Sequence, residues 1–73
     1  SNPLFVSIII TNYNYGNFLK HSIESALAQD YAHKEVLVVD DGSTDQSRDI
    51  IKSYGSQIIA VFKSNGGQGS AFN

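Results

Sequence analysis

Val36-Leu37-Val38-Val39-Asp40-Asp41-Gly42-Ser43-Thr44-Asp45 decides the fold. Four apolar residues in a row, three of them β-branched, read as a strand buried on both faces. The strand runs into two adjacent carboxylates, then a glycine turn, then a helix start. Neighbouring acids repel each other and resist burial, so a ligand site explains them better than packing does. One of the two is open to a structural reading, as a cap bonding to the N–H groups of the turn that follows.

Working outward, Leu4-Phe5-Val6-Ser7-Ile8-Ile9-Ile10 is a second apolar, β-branched run and reads as the first strand. Thr11 to Asn17 is rich in Asn and Gly and reads as a loop with left-handed positions. Leu19, Ile23, Ala26 and Leu27 recur at helical spacing, which predicts a helix from about Asn17 to Gln29, with Lys20, Glu24 and Gln29 facing water. The central strand is placed at Glu35 to Val39 or Asp40. Ser43 followed by Gln46 has the spacing of a capping box, and Ile50, Ile51 and Tyr54 continue that helix until Gly55 stops it. Gln57 to Phe62 reads as the third strand, Lys63 to Ser70 as a loop, and Ser70 to Asn73 as the first turn of another helix.

Strands alternating with helices of this length predict an α/β fold, β-α-β-α-β, with a parallel sheet and right-handed crossovers. That is half of a nucleotide-binding sheet. Ligands of such sheets bind beyond the carboxyl ends of the strands. Three polar features meet there: the Thr11–Asn17 loop, the Asp40–Asp41 pair and the Asn65–Ser70 glycine loop. A carboxylate accepts from a base N–H or a ribose hydroxyl, and a tyrosine face packs on a base. Tyr13 and Asp41 are therefore the leading ligand contacts, with Tyr13 also open to simply covering the sheet end; Asp40 is open to either a structural or a ligand part.

The 73 residues carry a net charge of −2 and no cysteine, which leaves no basic footprint for nucleic acid or an anionic membrane, no disulfide framework and no thiolate metal site. No apolar run reaches membrane-span length. Ser1-Asn2 has the look of an expression scar, which puts the domain at residues 3–73. Gly67 to Phe72 begins like a dinucleotide loop but has Phe72 where a small residue belongs, and it follows the third strand rather than the first. His21 and His33 lack metal-ligand spacing, and Lys63 reads first as a solvated cation at a strand end, with approach to a diphosphate as the alternative. A phospho-acceptor receiver domain also carries paired acids, but after its first strand.

Val6 to Asn14, Ile23 to Gln29, Glu35 to Asp45, and Asn65-Gly66-Gly67 with Ala71 and Asn73 stand in an order that resembles the N-terminal part of an inverting family 2 glycosyltransferase. The resemblance covers essentially the whole chain from Pro3. It implies a Rossmann-like half of the GT-A fold, truncated. It also implies a nucleotide-sugar donor, UDP-sugars first, and an acceptor hydroxyl on a glycan, lipid or other compound. By position, Thr11 and Tyr13 line the nucleoside pocket and Asp41 accepts from the pyrimidine N–H. Asp40 is the more structural or ribose-side acid. The family's divalent metal (Mg or Mn) and its catalytic base belong to motifs further along. No catalytic or metal-ligating residue is therefore expected here, and the segment is expected to be inactive by itself. The expected location is cytoplasmic, with any membrane attachment carried by other parts of the parent protein. The non-enzymatic alternative is an α/β interaction module that pairs, or dimerises, through an exposed sheet edge.

Overall fold

The computed structural model describes residues 5–64. The expected β-α-β-α-β order is present: β1 (Phe5–Asn12), α1 (Gly16–Leu27), β2 (His33–Asp41), α2 (Ser47–Ser53) and β3 (Ile59–Lys63), with a 3-10 turn at Gly55–Gln57. The strands form one parallel sheet in the order β1-β2-β3. The glycine loop after Lys63 and the helix start at Ser70 lie outside the described residues. Among the described residues no helix is long and apolar enough to cross a membrane.

Both crossovers step in the same direction across the sheet, so right-handed connections put both helices on one face. Leu19, Ile23 and Ala26 of α1 and Ile51 of α2 meet Val36 and Val38 of β2 there, with Tyr54 and Ile58 closing the core. Ile8, Ile10 and Phe62 pack against it from the flanking strands. Strand alternation sends the odd-numbered residues to the other face. Phe5, Ile9, Ile59 and Val61 are exposed there, and Leu37 and Val39 are half-buried. The central strand was expected to be covered on both faces; among the described residues it is covered on one.

The boundaries differ from expectation for local reasons. β2 begins at His33, because residues 33 and 34 pair with Phe5 and Val6. The Lys34 ammonium also reaches the carbonyls of Leu27 (2.7 Å) and Gln29, which closes the C-terminus of α1 with a cation. β3 begins at Ile59, since Gln57 belongs to the 3-10 turn. Glu24 does not only face water: Tyr54 donates its hydroxyl proton to Glu24 Oε2 at 2.9 Å, tying the end of α2 to α1. Burial first, and the Glu24 charge with it, pushes the Tyr54 phenol above its ordinary pKa.

Candidate functional site

The two acids that end β2 point to opposite faces. Asp40 shares parity with Val36 and Val38 and is 1 % exposed. Its Oδ1 accepts from Asn12 Nδ2 (2.9 Å) and from the Ser43 hydroxyl (2.6 Å), and its Oδ2 accepts from the Ser43 amide (3.0 Å). Three donors satisfy a carboxylate that would otherwise be expensive to bury. Asn12 can reach it because the parallel register sets Asn12 beside Asp40. Gly42, at φ 72, turns the chain back so that Ser43 meets the carboxylate.

Asp41 shares parity with Leu37 and Val39 and is half-buried on the open face. It lines a cavity of about 390 Å³ at the carboxyl ends of the strands, together with Thr11, Tyr13 and Val39. Asn12, Tyr15 and Lys63 complete the wall. Thus Thr11, Tyr13 and Asp41 come together, while Asp40 stands outside that wall.

Four cavity residues were not among the expected ligand contacts: Asn12, Tyr15, Val39 and Lys63. Lys63 was read as solvated, yet it is half-buried and pairs in register with Asp41. Aligning the three strands by their apolar runs would have found it. Tyr15 gave no distinguishing signal beside Tyr13 in the same loop.

A second set of bonds holds the loop after β1 against the turn after β2. Asn14 Oδ1 accepts from the amides of Thr44 (2.8 Å) and Asp45 (3.3 Å), and the Asn14 amide donates to Ser43 Oγ (2.9 Å). Asp45 Oδ2 accepts from the Gly16 amide at 3.0 Å, and Asp45 Oδ1 from the Ser47 amide at 2.9 Å. Space there is tight: a Cβ on Gly16 would stand 2.7 Å from the Gln46 side chain.

The expected capping box does not form. The Ser43 hydroxyl is taken by Asp40 and Asn14, and α2 starts only at Ser47, with no side-chain bond from its N-cap Gln46. The Ser47 hydroxyl, then backbone amides including those of Ser47 and Gly16, hold the Asp45 carboxyl below its usual pKa, partly offset by desolvation. That hydroxyl is itself buried without a partner in hydrogen-bond geometry, so the amides are the firm contacts.

Chemically, the cavity offers a carboxylate acceptor, an ammonium donor, a hydroxyl of either sense and two aromatic faces. This set suits a heteroaromatic ring bearing N–H groups. Asp40 and Asp41 cannot converge from opposite faces, and among the described residues no group of three His, Cys, Asp or Glu gathers.

A family model described as glycosyl transferase family 2 matches residues 7–73. The chain belongs to that family. A receiver domain is a different arrangement, with its acids after the first strand; here β1 ends in Asn12.

This family 2 chain is 49 % identical over 72 residues to an uncharacterized glycosyltransferase of Nostoc sp., covering 93 % of the chain and 22 % of that protein. It is 52 % identical over 68 residues to one of Rickettsia prowazekii, covering 93 % of the chain and 21 % of that protein. WfaP of Escherichia coli, named a UDP-Glc:alpha-D-GlcNAc-diphosphoundecaprenol beta-1,3-glucosyltransferase, is 41 % identical over 66 residues, covering 90 % of the chain and 26 % of that protein. The chain thus spans roughly a fifth to a quarter of these relatives.

Among solved structures, the mannosyltransferase PcManGT from Pyrobaculum calidifontis, in complex with GDP-Man and Mn2+, superposes with a TM-score of 0.68 at 22 % identity. The match covers 88 % of this chain and 20 % of that one. It shows the fold: three parallel strands with their helices form the Rossmann-like half of a GT-A glycosyltransferase.

Proposed function

We propose that the full-length protein transfers a hexose from a nucleoside-diphosphate donor to an acceptor hydroxyl with inversion, and that this chain supplies the nucleoside subsite. The observation that carries this reading is the convergence of Thr11, Tyr13 and Asp41 on one cavity beyond the carboxyl ends of the strands. Tyr13 stacks on the base, Asp41 accepts from a ring N–H, and Thr11 offers a hydroxyl to the nucleoside. Asp40 holds the turn that presents them. The chain's part is to bind and orient the donor.

Uridine diphosphate is the first donor nucleotide to test, because the E. coli relative is named for UDP-Glc. Guanine also presents a ring N–H beside a carbonyl, so the GDP-Man of the archaeal structure agrees with the same wall. Calorimetric titration of the full-length protein with UDP and GDP tests the reading. Asp41→Asn is expected to weaken binding about 10-fold or more, the cost of losing a charge-assisted hydrogen bond. Unchanged affinity in that variant would remove Asp41 from the site.

Mn2+ in the archaeal structure supports a divalent metal for the parent reaction, Mg or Mn, whose ligands this proposal places further along the parent protein. The 73-residue chain by itself is expected to show no sugar transfer, and any UDP binding it retains is expected to be the same with and without Mn2+. The parent acts in the cytoplasm in this proposal, with any membrane attachment carried elsewhere in the protein; fractionation of cells tests it.

A second reading is favoured by one observation: β1 lies at the sheet edge beside a face that exposes Phe5, Ile9, Ile59 and Val61. Such edges and patches promote association. The isolated chain is expected to dimerise, and sedimentation as a clean monomer at high concentration would count against this.

A further inference from the structure

Asn14 lies outside the cavity wall but between two residues that form it, Tyr13 and Tyr15. It is held in three ways. Its backbone is at φ 54, the only non-glycine positive φ among the described residues, and Asn tolerates that region better than most side chains. Its carboxamide oxygen accepts from two successive amides of the opposite turn, those of Thr44 and Asp45. Its own amide donates to Ser43, whose hydroxyl in turn donates to the buried Asp40. Tyr13, by contrast, is 45 % exposed, so side-chain packing does little to place its ring.

We propose that Asn14 is a positioning residue for the nucleoside subsite: by pinning the loop after β1 to the turn after β2, it sets where the Tyr13 ring stands relative to Asp41. This rests on the donor-site reading above. The pin joins the two segments that carry the two recognition groups, one aromatic and one acidic. Releasing it leaves both groups in the molecule but lets the distance between them vary. Affinity then falls through lost preorganisation rather than through a lost contact.

A double-mutant cycle in the full-length protein tests this, with UDP as the probe and calorimetry as the readout. Asn14→Gly keeps the left-handed backbone accessible and deletes the carboxamide. It is expected to weaken UDP about 10-fold, as is Tyr13→Ala. The double variant is expected to stay near about 10-fold rather than about 100-fold, because without the ring there is nothing left to position. Asn14→Asp, which retains the accepting oxygen, is expected to bind UDP within about 3-fold of the parent. If Asn14→Gly does not fold, Asn14→Ser, whose hydroxyl stops short of the two amides, carries the same cycle.

Effects that multiply across the cycle would overturn the proposal and leave Asn14 a purely structural residue. So would wild-type UDP affinity in Asn14→Gly. If the unaltered protein binds neither UDP nor GDP, the donor-site reading itself falls and this inference falls with it. That outcome is distinct from binding without coupling.

Discussion

Asp40 and Asp41 are chemically identical neighbours with opposite employment. One faces the helices, is 1 % exposed and is saturated with protein donors. The other faces the open side of the sheet and lines a cavity. The same division runs the length of β2, where Val36 and Val38 build the core while Leu37 and Val39 are only half-buried. Period-two alternation is the whole cause. Among the described residues, the helix-covered face does the folding and the other face carries the cavity.

Four experiments can break or sharpen that contrast. The largest effect is expected from the covered face. Ile23, fully buried, should cost about 2–5 kcal/mol of stability as Ile23→Ala, measured by urea unfolding, whereas Ile9→Ala on the open face should stay within about 0.5 kcal/mol. Equal losses would abolish the distinction.

Next come the acids. Asp40→Ala strands Ser43 and Asn12 donors and should cost about 2–4 kcal/mol. Asp41→Ala should leave the unfolding midpoint nearly unchanged and lose nucleotide binding instead. A reversed pattern would mean the two roles are exchanged.

A smaller effect is expected where the helices join. Tyr54→Phe removes the bond to Glu24, at about 0.5–1.5 kcal/mol. The Tyr54 pKa is raised in the folded state, so its contribution is complete below pH 10 and is lost as pH rises through the folded value. Unfolding midpoints from pH 8 to pH 11 should fall in the parent and fall less in Tyr54→Phe. The smallest effect belongs to exposed Asp45, whose pKa is lowered by folding. Its contribution is present above the ordinary carboxylate value and lost as pH drops through the folded one, a slope that Asp45→Asn should flatten.

The element order, the parallel sheet and the family were legible because they rest on local signals: β-branched runs, a helical stripe and a turn that ends in acids. The meeting of Thr11, Tyr13 and Asp41 followed from where such strands end. What escaped was set by partners far away in sequence. Ser43 and Gln46 have the spacing of a capping box, but Asn12 and Asn14, about 30 residues upstream, compete for the Ser43 hydroxyl. Tyr54 finds Glu24 across a separation of 30 residues, and a surface-looking glutamate becomes a helix-to-helix tie. The split between the acids was readable from strand parity alone. The roles were anticipated, with Asp41 as the ligand contact and Asp40 as the more structural acid, but reading the apolar run as covered on both faces hid this cause of the split.

The bonds that latch the loop after β1 onto the turn after β2 also have a kinetic consequence. Every one of them joins segments that become neighbours only once β1 and β2 have paired, so the recognition edge cannot assemble before the sheet. Closing such a distant contact is slow relative to forming either helix. In native-state hydrogen exchange, the amides of Asn14, Gly16, Thr44 and Asp45 are expected to be released together, as one cooperative unit, rather than fraying separately as ordinary surface loops do.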